Sequence, residues 1–594
     1  MSQITQVKEA NDIVAIIAER LELQRAGANL KALCPFHSEK SPSFFVNEAL
    51  QRYRCFGCGE SGDVFTFLQK YEGMTFAEAL KSLADRAGIK LEEYKPSAQD
   101  EQRERLLAIL ELSKSFFHFL LTEHKVGLTA REYLKNRGIT QESIRVFQIG
   151  YVPDGWDHLL KYLHDKKKYS LEDIFLSGMT VKGKANRYYD RFRNRIMFPL
   201  TNHRGQVVGF SGRVLDSEVK SAKYINTPET ATYHKSELLF GYSQLYQEIR
   251  KSEEVIVVEG EMDVISSSQA HINNIVAIKG SALTDEQLQL LRRTVNKVLL
   301  SLDMDSAGVE ATKRAIGLAQ KYDLELRVIQ IPSGKDPDEL ARENPKAWRE
   351  ATKSSISVYE FFLRSALKNF DSQTPEGKSK IIDQLAPIFG NISHLVEQDF
   401  YIKKLAELLE VKENVVKADI LKFKDKGRLV NAKDDQKEVK PNQTNKSQQQ
   451  KLEELLVFLL LRFDNDQVVT KAQELAQLGV SNSGLKVILE KLSKIKEKFD
   501  LAKFSQSLPE DLQSLLSEIY LTPEYVSALE EMKIEKEWQN SIKNLQELNI
   551  TTKASEITKQ LDMLDSKKEK TAEDEALQAE LLRQIVLLKK KSSS

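Results

Sequence analysis

The chain has 594 residues, 41% of them apolar and 29% charged, with 87 basic side chains balanced by 87 acidic ones. This composition excludes a disordered, fibrous or disulfide-framed protein, and the length leaves room for about four domains with cores of their own. Zero net charge argues against a nucleic-acid partner only if charge is spread evenly. It is not: residues 187–235 hold nine Lys/Arg against four acids, a net +5.

All three cysteines fall in one short segment, Cys34-Pro-Phe-His37 and Cys55-Phe-Gly-Cys58. Two x2-spaced pairs supply three thiolates and one imidazole, a set suited to a closed tetrahedral zinc site. Unrelated buried cysteines would have no reason to share that spacing. So few cysteines in a long chain also predict a reducing compartment. Met1–Val14 lacks a signal-type apolar core, and the longest apolar run, Leu455–Leu461, is too short to span a bilayer. Both predict a cytoplasmic protein with no membrane partner.

In chain order, β-type runs at Ser43–Val46 and Gln51–Cys55 surround the ligands, and helical patterns follow at Asp63–Tyr71 and Thr75–Ala87. Lys31, Lys40, Arg52 and Arg54 interleave with Phe44, Phe45, Tyr53 and Phe56. Cations beside rings suit a single nucleic-acid strand, whose phosphates are neutralised while its bases stack; some of these rings must also serve as the small module's core. We therefore expect Lys31, Lys40, Arg52, Tyr53 and Arg54 to bind template. Lys95–Arg105 is polar and reads as a linker.

Residues 113–252 mix helix and strand. In Asp190-Arg-Phe-Arg-Asn-Arg195, cations alternate and would share one face of a strand. A regular alternation follows. Strand runs at Val255–Val258, Ile275–Ile278, Lys297–Leu302 and Glu325–Ile331 are separated by helical stretches at 261–270, 284–295 and 306–320. This predicts a parallel sheet with helices on its faces. Three of these strands run into acids: Glu259-Gly-Glu-Met-Asp263, Asp303-Met-Asp305, and Asp336-Pro-Asp338. A single Asp after a strand is usually a helix cap. Three clusters at the carboxyl ends of parallel strands converge, and converging carboxylates need a cation. Hard oxygen donors select Mg2+, or Mn2+, and the chemistry that follows is phosphoryl or nucleotidyl transfer. Residues 341–425 are helical. Asn431–Gln450 is too polar to fold and reads as a flexible linker, and 451–594 reads as a separate helical domain.

The ordered motifs YRCFGCG, DRFRNRIMFPL, GFSGRVL, KYINTPET, VVEGEMDV, LSLDMDSAG and GKDPDEL resemble the bacterial replicative DNA primase (DnaG) family, from residue 1 to about 345. Beyond 345 the resemblance is architectural, and beyond 450 it is one of position and helical content. It implies an α/β multidomain protein with an N-terminal zinc ribbon, an α+β polymerase core containing a TOPRIM domain, and an all-helical C-terminal domain. The expected boundaries are 1–100 zinc module, 101–112 linker, 113–425 polymerase core (113–252 basic, 253–340 TOPRIM, 341–425 helical), 426–450 linker and 451–594 helicase-docking domain.

The implied activity is synthesis of short RNA primers on single-stranded DNA by a monomer in the bacterial replisome at the nucleoid. Nucleoside triphosphates are its substrates, and a hexameric helicase docks on 451–594. The resemblance casts Cys34, His37, Cys55 and Cys58 as ligands of one structural zinc. Glu259, Asp303 and Asp305 become catalytic, and with Asp336 and Asp338 they hold Mg2+, two ions in this reading. Arg193, Arg195, Arg213, Lys223, Asn226 and Lys235 would line the nucleotide and template groove. One position departs from the pattern: the basic residue expected before Phe147 is Val146, with Arg145 one place earlier. The competing readings are a TOPRIM topoisomerase or nuclease, a zinc-containing adaptor, and a fused helicase. The last needs a P-loop, and the sole Gly377-Lys-Ser has Ser372 where its first glycine belongs.

Overall fold

The computed structural model describes residues 3–27, 29–37, 39, 41–91, 97–183, 187–215, 222–280, 282–302, 306–331, 336–421, 447–463, 465–496, 498–522, 525, 534–565 and 571–592. Two compact units arise, Met1–Tyr94 with Val439–Ser594, and Lys95–Glu438.

In the first unit the zinc module is a five-stranded antiparallel sheet whose strands follow chain order: Gln24–Ala26, Asn29–Ala32, Phe44–Asn47, Arg52–Cys55 and Ser61–Gly62. Period-two alternation divides it into two faces. Phe44, Val46, Tyr53 and Cys55 lie on the inner face and are buried, with the Phe44 and Tyr53 rings stacked 5.0 Å apart. Helices Val64–Glu72 and Phe76–Ala87 close that core. The second helix starts on a Thr75/Glu78 capping box and ends at Gly88, φ +68°. The same unit holds the C-terminal helices, from Gln448–Leu460 to the long Ile534–Asp565 and Ala572–Ser592 pair. Trp538 is fully buried among Leu456, Leu489 and Leu516 and donates to Glu474 at 3.1 Å. The expected 426–450 linker falls outside the described residues up to 446; from Ser447 the chain caps and enters a helix.

The second unit opens with a 25-residue helix, Ala98–Thr122, N-capped by Ser97. This corrects the linker expected at 101–112. Leu106, Ile109, Leu110 and Phe117 recur at helical spacing and are buried, so the polar first turns carry an amphipathic helix. A four-stranded antiparallel sheet follows, in the order Tyr224–Asn226, Val207–Val214, Arg195–Thr201, Gly150–Val152. The alternation expected across 190–195 is also corrected. Strand Tyr188–Asp190 ends, Asn194 adopts φ +49°, and a new strand begins at Arg195, so the three arginines do not share one strand face.

Asp190 is 1% exposed and accepts from the Leu159 and Leu160 amides at 2.8 and 2.9 Å, tying down helix His158–Lys161. Burial pushes its carboxyl up to about 6, above the ~3.9 of an unfolded aspartate. The folded state therefore keeps its proton over a window where the unfolded chain has lost it. Stability from this group is full below about pH 4, falls as pH rises to about 6, and is flat beyond. Asp190→Asn escapes the charge. Relative to the parent, its unfolding free energy should gain about 2 kcal/mol between pH 4 and pH 7.5. Denaturant melts at the two pH values check this; a gap independent of pH would contradict it.

The larger sheet has six strands in the order Leu239–Phe240, Ile275–Ile278, Glu254–Val258, Lys297–Leu300, Glu325–Val328, Ile356–Ser357. Its four inner strands are parallel, and the two short edge strands pair antiparallel. The expected strands and the helices between them are present. Only the edge strands are additions, one of them within the 341–425 segment expected to be wholly helical. Strand order reverses between Glu254–Val258 and Lys297–Leu300: the chain goes to one side after the first and to the other after the second. A crevice opens at such a switch point, at the carboxyl ends of the strands. Helices from Pro337 to Leu408 complete the unit, and the buried Trp348 donates to Ser267 Oγ at 2.9 Å.

Candidate active site and zinc centre

The four zinc-ligand candidates meet. The donor atoms of Cys34, His37, Cys55 and Cys58 lie within 4.8 Å of one another. Cys34 Sγ stands 3.9 Å from Cys58 Sγ, and Cys55 Sγ 3.6 Å from His37 Nδ1. Tetrahedral zinc with ligand bonds of about 2.0–2.3 Å places donors about 3.3–3.8 Å apart, so the set fits. Hydrogen bonds from Cys34 and Cys58 hold the Cys55 thiol far below its usual range, and contact with Cys55 pushes Cys34 up. Three thiols thus share protons where zinc would take them all. Nδ1 of His37 faces the thiols while Nε2 lies 3.3 Å from Glu39 Oε2. Glu39 also accepts from the Cys34 amide at 2.7 Å and the Ser43 amide at 3.0 Å. A carboxylate behind a ligating histidine fixes its orientation. Gly57 is required here, because a Cβ would collide with the His37 ring.

The template residues expected in this module divide by face. Tyr53 is 0% exposed and packs on Phe44 and Phe67, so it is core rather than a stacking surface. Lys31, Phe45 and Arg54 are cross-strand neighbours on the opposite face, with Arg52 opposite Asn47. Arg52 donates to Gln513 and Ser514, and Arg54 pairs with Glu518 at 3.0 Å. Lys40 lies outside the described residues.

At the switch point of the large sheet, a cavity of about 340 Å³ brings Glu259, Asp336 and Asp338 together with Arg213 and Lys223. Glu259 follows the fully buried Val258 directly, so the strand delivers it to the sheet edge. Asp336 is exposed and caps helix Pro337–Glu343 through the Glu339 amide. Asp338 is 4% exposed, and both its oxygens are taken, by Arg137 and Arg342 at 3.1 Å each. Asp303 and Asp305, three and five residues beyond strand Lys297–Leu300, lie outside the described residues.

Four further side chains in this cavity had no role assigned from the sequence. Asp263 is half-buried, and accepts from the Gly260 and Asp338 amides at 3.0 and 3.1 Å. Burial pushes its carboxyl up to about 7, and the nearby Asp336 and Asp338 charges push the same way. Glu261 and Lys279 form an ion pair, both almost fully buried. Arg137 spans from the first helices of the unit to Asp338.

The basic candidates scatter. Arg213 is held by the hydroxyls of Tyr133 and Tyr224, at 2.9 and 2.6 Å, and Lys223 is exposed at the cavity. Arg195 is 6% exposed and donates to the carbonyls of Gly212, Ala222 and Lys223. It ties strands together, which corrects its placement in the groove. Asn226 keeps a buried Oδ1 with no hydrogen-bond partner among the described residues. Arg193 lies 4.1 Å over the ring of Trp156, itself 63% exposed. Nothing in the spacing marked Trp156, though an exposed Trp under a cation is a natural stacking platform. Lys235 is exposed, in the short turn Lys235–Glu237, and does not line the cavity.

Acids at the switch point of a parallel sheet, together with a zinc ribbon, define a metal-dependent enzyme of nucleic-acid chemistry. Family models bear this out along the chain. The CHC2 zinc finger matches residues 1–99, the N-terminal domain of the DNA primase catalytic core 116–246, a Toprim-like domain 256–341, and the DnaB-helicase binding domain of primase 359–414. The DNA primase of Clostridium acetobutylicum is 38% identical over 70% of this chain and 68% of its own length. That of Halalkalibacterium halodurans is 35% identical over 81% and 80%. The solved zinc-binding and RNA polymerase domains of Aquifex aeolicus primase align at 32% identity and a TM-score of 0.47, covering 70% of this chain and 99% of that one.

The chain belongs to the bacterial DNA primase family. It is a DNA-directed RNA polymerase of replication that works with a helicase, and the TOPRIM topoisomerase or nuclease reading is not favoured. It carries a structural zinc site, and its Toprim domain implies a divalent metal. No helix among the described residues is long and apolar enough to cross a membrane.

Proposed function

We propose that the chain initiates short RNA primers on single-stranded DNA by joining nucleoside triphosphates in the cavity beside Glu259. The observation that carries this reading is the meeting of an acid wall, Glu259 and Asp336, with the cations Arg213 and Lys223 at the sheet's switch point. We assign Glu259, Asp303, Asp305 and Asp336 as oxygen donors to Mg2+. The electrostatics support the fit, since burial first, and the Asp336 and Asp338 charges after it, push the Asp263 carboxyl up to about 7. When bound, two such ions would stabilise the charge that develops as pyrophosphate leaves. Asp338, with both oxygens in ion pairs, orients this wall from behind.

Arg213 presents a planar donor fork fixed by two tyrosine hydroxyls, and Lys223 a mobile point charge; both suit a triphosphate. Arg193 on Trp156, Asn226 and Lys235 are assigned to the template path. Lys31, Arg52 and Arg54 form the zinc module's strand-reading face. Unprimed single-stranded templates carrying each initiating trinucleotide, incubated with the four nucleoside triphosphates, should yield short RNA. No product on any template would sink the reading.

We assign helicase docking to residues 451–594, whose last two helices pack through Leu561, Leu564 and Leu581 and leave Met563, Leu577 and Leu587 exposed. The helicase-binding family match at 359–414 supplies a second surface, on which Leu395, Val396 and Phe400 are exposed. Deleting 447–594 should abolish helicase stimulation and spare intrinsic polymerisation. Stimulation that survives the deletion would move docking to 359–414.

A further inference from the structure

The outer face of the zinc sheet is covered. Helix Glu510–Leu521 of the C-terminal domain lies against strand Arg52–Cys55. Residues 510, 513, 514 and 518 share one helical face. Gln513 Oε1 accepts from Arg52 Nη1 at 3.2 Å, Ser514 Oγ from Arg52 Nη2 at 3.3 Å, and Glu518 pairs with Arg54. Leu50, in the turn before this strand, packs into the C-terminal core with Leu456 and Leu516.

The contact is incompletely matched. Arg52 is 5% exposed, yet its hydrogen-bond partners among the described residues are a neutral amide and a hydroxyl. Nε of Arg52 and Nε of Arg54 are both buried with no partner among the described residues. A buried guanidinium with an unspent donor is costly, and a phosphate would satisfy it better than Gln513 and Ser514 do. The face is thus occupied by a partner weaker than the one its chemistry selects.

We propose that helix Glu510–Leu521 is a built-in competitor for single-stranded DNA, seated on the basic face of the zinc module and displaced when that face takes the template backbone. This rests on reading that face as the template-binding one. It makes the C-terminal domain a regulator of template capture as well as a docking module. Whatever draws that helix away, a helicase surface included, exposes the reader.

The test is anisotropy of a short fluorescent oligodeoxynucleotide with the full-length chain at fixed salt. Glu510→Gln with Glu518→Gln weakens the seat without adding positive charge. It should tighten binding about two- to fivefold, the range expected for losing the partly exposed Arg54–Glu518 ion pair and the Glu510 charge near Arg52. Glu547→Gln with Glu556→Gln removes the same charge from a distant helix and should change nothing. Arg54→Glu added to the released chain should erase the gain, with Arg54→Gln as a milder variant and zinc content reporting an intact module.

If Arg54→Glu weakens binding but the released variant binds no tighter than the parent, the competitor is wrong and the template face stands. If the distant pair tightens binding equally, the effect is general charge and the competitor is wrong. If Arg54 variants change nothing in either background, the template face itself fails, and the competitor with it.

Discussion

Glu259→Gln should lower the rate of ribonucleotide incorporation about 10²–10³-fold. Glutamine keeps the shape of the side chain but loses the charge proposed to hold a divalent ion and the carboxylate oxygen proposed to take a proton. Strand Glu254–Val258 is buried on both sides, so its end is rigid, and Glu259 leaves it into the cavity. The loss should therefore fall on turnover, with template affinity, zinc content and melting temperature unchanged. Glu261, two residues on, predicts the opposite. It is 2% exposed and paired with Lys279, so Glu261→Gln strands a buried ammonium and should cost about 3–5 kcal/mol of stability. Rate assays beside thermal melts separate the two. Equal loss of stability in both variants, or near-normal turnover for Glu259→Gln, would contradict the assignment.

Removing zinc is the second large effect. Cys34 and Cys55 are buried within the module's core, against Phe44, Val46 and Phe67. Structural zinc in small modules is worth about 10–16 kcal/mol of apparent binding free energy. Chelation, or Cys55→Ser, should release one equivalent of zinc and erase the module's melting transition. The unit Lys95–Glu438 has its own core, built on the large sheet, and should melt as before. Calorimetry with and without chelator checks this. Melting of both units together, or an unchanged module without metal, would overturn it.

The parts of this molecule legible in sequence are those fixed by local spacing. The zinc ligands follow from paired x2 intervals. Strand Ile275–Ile278 and the helices after Glu259 and Leu283 follow from period and caps, because short parallel strands between amphipathic helices have few other solutions. What was lost depends on partners distant in the chain. Lys279 for Glu261 is set by sheet order, and Arg137 for Asp338 by the meeting of two helix ends, neither of which a local pattern encodes. Glu39 carries no spacing signal because it holds a ligand rather than the metal.

Other misses had a signal. Tyr53 has the same strand parity as Cys55, and a ligand that must face inward takes its i−2 neighbour with it. The helix Ala98–Thr122 shows its apolar stripe only from Leu106 onward, so its polar first turns imitate a linker. In 190–195, alternating charge suggested a strand, but a left-handed Asn194 breaks it, and Arg195 turns inward to main-chain carbonyls.

The acids at the switch point are assigned to joining nucleotides on a template rather than to cutting DNA. One measurement addresses this assignment directly: wild-type protein and Asp303→Ala, each given unprimed single-stranded template with labelled nucleoside triphosphates, and in parallel supercoiled plasmid, across a magnesium series. Magnesium-dependent incorporation by the wild type, loss of it in Asp303→Ala, and no nicking by either are the expected results. Metal-dependent nicking without incorporation, or an Asp303→Ala chain that polymerises with normal metal dependence, would contradict the assignment.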